Sequence, residues 1–114
     1  MHALIYTKDA DADRAFFRDV LGYPFVDAGG GWLIFKLPPA ELGIHPADGE
    51  TREGHELFFM CDDIAATLAE LKAKGVEIVA EPVDRGYGIE GSIRLPGGST
   101  LGIYEYKHPT AIDL

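Results

Sequence analysis

The chain has 114 residues, 46% of them apolar and 25% charged, which suits one globular domain large enough to bury a core of its own. Its formal charge of −9 excludes the basic face that a nucleic acid or an anionic membrane would need in a partner. The single cysteine, Cys61, excludes an internal disulfide and a cysteine-rich zinc site, and reads as a small buried thiol. No signal peptide, long apolar stretch or lipidation motif is visible, so the expected location is cytoplasmic.

Residues 2–8 alternate and include Ile5, Tyr6 and Thr7, a short strand signal. Asp9-Ala10-Asp11 then offers side-chain acceptors for the free N–H groups that open a helix. Ala12, Ala15, Phe16 and Val20 follow at helical spacing. Gly22 supplies the positive φ that ends such a helix, and Pro24 stops it resuming. Strands are predicted over 23–26, 32–37 and 41–45, set apart by Gly29-Gly30-Gly31 and by Pro38-Pro39. The polar segment 47–54 is the candidate linker. After it come a strand over 55–61 and a helix over 63–74, with Ile64, Leu68 and Leu71 on one face and Gly75 at its end. Strands over 76–80, 92–95 and 100–106 complete the second half, with a loop over 82–91 that carries Tyr87 between Gly86 and Gly88. Residues 107–114 read as a peripheral tail.

The two halves repeat each other. His2-Ala3-Leu4-Ile5-Tyr6-Thr7-Lys8-Asp9 is answered 53 positions later by His55-Glu56-Leu57-Phe58-Phe59-Met60-Cys61-Asp62, and the same offset brings Gly22 onto Gly75. Lys36-Leu37-Pro38 is answered by Arg94-Leu95-Pro96, and Leu42-Gly43-Ile44 by Leu101-Gly102-Ile103. Repetition at this scale is evidence of architecture. Each half reads βαβββ, giving module 1 over about 1–46, the linker, module 2 over about 55–106, and the tail.

This arrangement resembles the vicinal oxygen chelate superfamily, which includes glyoxalases, bleomycin-resistance proteins and extradiol dioxygenases. The most specific run is His2 to Asp9 followed by Arg14-Ala15-Phe16-Phe17-Arg18-Asp19-Val20-Leu21-Gly22; Leu95-Pro96-Gly97-Gly98-Ser99 resembles the loop before the last strand. The resemblance implies an α+β fold in which two βαβββ modules form curled mixed sheets around a shared cleft, with the helices outside. It implies dimerisation in many short members, so a homodimer is expected. It also implies a metal site in the cleft, built from a residue on each module's first strand and carboxylates from the fourth strands. His2 and His55 match the first-strand ligands. Gly43 and Gly102 stand where the carboxylates would be, and this departure occurs at both symmetric positions.

Two imidazoles alone make a poor metal site, since catalytic zinc takes three protein ligands and non-haem iron two His and a carboxylate. His45 shares a strand face with Gly43 and is the candidate third ligand. The cofactor expectation is therefore none, or one divalent metal (Zn, Fe, Mn or Ni) on His2, His55 and His45. Gly43 and Gly102 either rest against opposing side chains or open an apolar slot. By alternation the slot's walls are Leu4, Tyr6, Trp32, Ile34, Leu57, Phe59 and Tyr104, with His2, His45 and His55 as polar points. That mix suits a flat organic ligand. Tyr87 is either a lid residue or part of a surface turn. Lys36 and Arg94 are either solvated rim cations or holders of an anion.

The leading functional expectation is a small-molecule-binding protein of the glyoxalase and bleomycin-resistance type that lacks the usual carboxylate metal ligands, with His2 and His55 as candidate catalytic or hydrogen-bonding groups. The alternative is a metal-dependent lyase, extradiol dioxygenase or thiol transferase using His2, His55 and a third ligand. A purely structural partner protein fits less well with histidines on the predicted concave face.

Overall fold

Apolar side chains decide where the elements meet. Phe16, Phe17, Ile64, Leu68, Leu71, Ile93, Leu95, Leu101 and Ile103 form one buried cluster. Each such side chain taken out of water contributes about 1.5–3 kcal/mol. The computed structural model describes residues 2–44 and 55–114.

The second half follows its pattern except over 82–91. Strand β3 (Phe58–Cys61) runs into helix α2 (Ile64–Ala73), then β4 (Ile78–Asp84), β5 (Gly88–Arg94) and β6 (Thr100–Tyr106). Asp63 starts the helix, its carboxylate accepting the Ala66 N–H at 3.0 Å. Ile64, Leu68 and Leu71, one helical face, are all buried. Gly75, at φ 84°, ends the helix in a backbone conformation that side chains resist. The strands order β3-β6-β5-β4, with β3 and β6 parallel and the other pairs antiparallel. Helix α2 covers one face of this sheet. Glu105 of β6 reaches round to accept the Ile64 N–H at 2.9 Å, fixing the helix start to the sheet.

The first half contributes helix α1 (Ala10–Ala15), which widens into a π turn over Phe16–Val20, and a hairpin of β1 (Phe25–Asp27) and β2 (Leu33–Phe35). Asp9 caps α1 by accepting the Ala12 N–H at 3.0 Å. The π turn carries two consecutive buried phenylalanines, which contact each other edge to face at 5.8 Å. Phe17 also packs against Tyr23, Phe35 and Phe59, joining the two halves through aromatic contacts. A second tie is polar: buried Asp13 accepts the Gly97 N–H at 2.6 Å.

The fold is α+β, with two helices and open sheets. It departs from the sequence expectation in three places. Residues 2–8 and 41–44 form no strand, so the hairpin supplies the ladder-paired strands of the first half among the described residues. Apolar alternation reports which residues could line a strand, whereas a ladder needs a partner for each N–H and C=O. Residues 82–91 depart the other way: the expected loop is strand at both ends, with only 85–87 turning between β4 and β5. Pro82, the apparent breaker, is tolerated because β4 is an edge strand, and its pairing shifts register between Ala80 and Val83. The expected linker 47–54 and His45 lie outside the described residues. Among the described residues no helix is long and apolar enough to cross a membrane.

Candidate functional site

The face of the four-stranded sheet opposite α2 collects the chemistry. Leu101 and Ile103 are buried in the core, so alternation puts Thr100, Gly102, Tyr104 and Tyr106 on the other side of β6. On β5, Gly91 and Ile93 turn toward α2, leaving Glu90 and Ser92 opposite. A side chain at Gly91 would touch Leu68 and Ile64 at 3.5–3.6 Å. On β3, Phe59 and Cys61 pack against the core, so Phe58 and Met60 take the open face. Register then aligns Met60 with Tyr104 and Glu90, and Phe58 with Gly102 and Ser92.

These side chains form an aromatic platform. The rings of Phe58 and Tyr104 stand 6.0 Å apart, those of Tyr87 and Tyr104 6.4 Å, and Tyr104 and the His108 imidazole 5.8 Å at a 30° tilt. Two glycines shape it. The Phe58 ring lies where a Gly102 side chain would be, and the Tyr104 ring does the same over Gly88. The sequence left Gly102 open between a ligand slot and contact with an opposing side chain; the space is filled by Phe58 of the same chain.

Polar groups edge the platform. The Tyr87 hydroxyl donates to Glu90 Oε1, and that bond, followed by partial burial and the Glu90 charge, pushes the Tyr87 phenol up to about 12. Burial, then the charges of Glu90 and Glu41, raises the Tyr104 phenol above its ordinary range. The Tyr87 carbonyl accepts both the Tyr104 hydroxyl, at 3.2 Å, and the Lys107 N–H, at 3.0 Å. Asp84 holds the turn beneath by accepting the Gly86 N–H at 2.8 Å and pairing with Lys107 Nζ at 2.5 Å. Tyr87 thus stands on a turn tied by hydrogen bonds to β5, β6 and Lys107.

The tail, expected to be peripheral, closes one side of the platform. Glu41 Oε2 accepts the Ala111 N–H at 2.8 Å, and Glu41 Oε1 lies 3.7 Å from His108 Nε2. His108 Nδ1 donates to the Pro109 carbonyl at 2.7 Å, and the ring rests between Tyr104 and Tyr106.

Of the residues singled out from sequence, Tyr87, Gly102 and Tyr104 come together here. Leu57 and Phe59 do not: both pack against the core, one position out of phase with the expected wall. His2 and His55 are exposed and belong to no strand. Tyr6 is 86% exposed, at the mouth of a cleft of about 480 Å³ with Thr7, Lys8 and Ser99; Leu4 is also exposed. Trp32 is half-exposed, Ile34 sits opposite Val26 in the hairpin, and Gly43 is exposed off any strand. Arg94 is committed to Glu77 at 3.4 Å and to the Gly98 carbonyl at 3.0 Å. Cys61 is half-buried, and burial is the main cause that raises its thiol above the usual range. Sequence reasoning missed Phe58, Met60, Glu90 and His108. In the run Leu57-Phe58-Phe59-Met60 every position is apolar, so alternation has no polar residue to mark the open face.

The described residues do not fit a divalent metal. Among them no group of three or more His, Cys, Asp or Glu side chains could hold one. At Gly102, where the resemblance implies a carboxylate ligand, the backbone offers no side-chain donor and an aromatic ring fills the space.

Residues 1–101 match the family model described as Glyoxalase/Bleomycin resistance protein/Dioxygenase superfamily. Solved structures share the fold. A lactoylglutathione lyase from Agrobacterium tumefaciens aligns with a TM-score of 0.64 at 20% identity, covering 92% of this chain and 91% of its own. A Glyoxalase/bleomycin resistance protein/dioxygenase superfamily member from Sphaerobacter thermophilus DSM 20745 gives 0.64 at 22%, covering 92% and 95%. An antibiotic binding protein from Streptomyces sp. CB03234 gives 0.62 at 18%, covering 94% and 100%. No protein of curated function matches the chain.

Proposed function

The chain belongs to the Glyoxalase/Bleomycin resistance protein/Dioxygenase superfamily, and from that premise we propose that it is a small-molecule-binding protein that takes a planar organic compound without a resident metal. The observation that carries this reading is the half-open aromatic platform of Phe58, Tyr104 and Tyr87, with polar groups fixed at its edge by named hydrogen bonds. Rings already held in place lose little freedom on stacking with a ligand, which favours affinity. The antibiotic binding protein of similar fold supports the same reading. No described cluster of donors favours the metal-dependent lyase, dioxygenase or transferase alternative.

The protein is further proposed to work as a cytoplasmic homodimer. Leu4, Tyr6, Leu42 and Ile44 are exposed on segments that pair with no strand among the described residues, and a second copy would cover them. Light scattering coupled to size exclusion should return twice the chain mass; a monomer at tens of micromolar would remove this part of the proposal.

The binding reading is tested by a thermal-shift screen of planar aromatic compounds, followed by titration of the best against Tyr104→Ala. The variant should weaken binding by about 3- to 10-fold, the stacking contribution of one ring. Equal affinity in both proteins would place the ligand elsewhere.

A further inference from the structure

Resting on that reading, we infer that the platform selects planar organic cations, with Glu90 as the residue that sets the charge preference. Glu90 stands on β5 directly opposite Tyr104, inside the aromatic group. One of its oxygens takes the Tyr87 hydroxyl. That bond fixes the carboxylate while leaving Oε2 to meet a ligand resting on the Tyr104 ring. A second carboxylate, Glu41, approaches Tyr104 from the tail side.

Three basic side chains around this face are already engaged. Lys107 is bound to Asp84, and His108 is held between Glu41 and the Pro109 carbonyl. At the far end of β5, Arg94 is spent on Glu77 and Gly98. An anion on the platform would therefore meet two carboxylates, Glu90 and Glu41, and the Arg85 charge that reaches Tyr87 at the outer turn is the cation set against them. A cation gains twice: from the negative faces of Tyr104 and Phe58, and from the fixed carboxylate at their edge. A neutral planar compound stacks but forfeits the second gain.

The experiment uses three matched probes on the full chain at 150 mM salt, which screens the general acidity of the protein. They are 9-(aminomethyl)anthracene, 9-(hydroxymethyl)anthracene and anthracene-9-carboxylate, titrated by fluorescence. The ammonium should bind about tenfold tighter than the alcohol, in line with the added attraction of its charge to the ring faces and the carboxylate, and the carboxylate weakest. Glu90→Gln should bring ammonium and alcohol within about twofold of each other. Glu70→Gln, on the exposed side of α2 across the sheet, removes the same formal charge and should keep the preference. Equal binding of ammonium and alcohol by the unaltered protein would overturn the inference and leave the stacking reading standing. A preference that survives Glu90→Gln would overturn it too. If none of the three binds, both the platform reading and this inference fall together.

Discussion

Gly88 and Gly102 both lie under an aromatic ring, and their alanine variants should differ sharply in stability. At Gly102, an added methyl would come within 2.5 Å of Phe58 Cε1 and 2.9 Å of its Cγ. Carbon atoms in contact sit about 3.5–4.0 Å apart, so the ring must move by roughly 1 Å. It can do so, because Phe58 is half-buried with an open face above it. Displacing it costs about 0.5–1.5 kcal/mol, offset by about 0.4–1 kcal/mol from the stiffer unfolded chain. At Gly88, the methyl would meet Tyr104 Cζ at 2.7 Å and also the Glu105 carbonyl oxygen at 2.8 Å. The tyrosine can swing aside, but the carbonyl belongs to the paired strand β6 and cannot. Overpacking against backbone costs about 1–3 kcal/mol, at the upper end here. Urea unfolding of both variants should show Gly88→Ala at least about 1 kcal/mol less stable than Gly102→Ala, or roughly 4 °C lower in Tm. If Gly102→Ala proves the more damaging of the two, the ring over Gly102 is locked in place and this account of the platform is wrong.

Two further outcomes follow from the platform's edge. Ultraviolet titration of the phenols should find one tyrosine ionising only near pH 12, and Glu90→Gln should bring it back toward 10. Because the folded phenol holds its proton more tightly than the unfolded one, the Tyr87–Glu90 bond contributes fully below pH 10 and is lost as pH climbs toward 12. A tyrosine titration unchanged by Glu90→Gln would mean that the pair does not form in solution. Glu41→Ala removes the acceptor that holds Ala111 N–H and the carboxylate facing His108. It should speed proteolytic trimming after Lys107 several-fold while leaving global Tm within about 2 °C, since the tail lies outside the buried cluster. Equal trimming rates in the two proteins would show that Glu41 does not secure the tail.

The local grammar of the chain was legible from residues alone. Asp9 and Asp63 announce helix starts, Gly22 and Gly75 announce their ends, and each does so in the structure, the glycines at φ 72° and 84°. These signals depend on a few neighbouring atoms, so sequence carries them entire. The repeated run at His2 and His55 pointed to the family, and with it to the α+β class, which the match over residues 1–101 establishes. What no single segment could settle was partnership. Residues 2–8 alternate like a strand yet join no ladder, while 82–91 look like a loop yet supply parts of two paired strands, because pairing depends on distant backbone. The face taken by Phe58 and Phe59 was equally undetermined. Both are aromatic, and only the register of β3 against β6 sent Phe58 over Gly102 and Phe59 into the core. The platform, and the glutamate that gives it a charge preference, therefore exist at the level of strand pairing: a one-residue slip would exchange every side chain on that face.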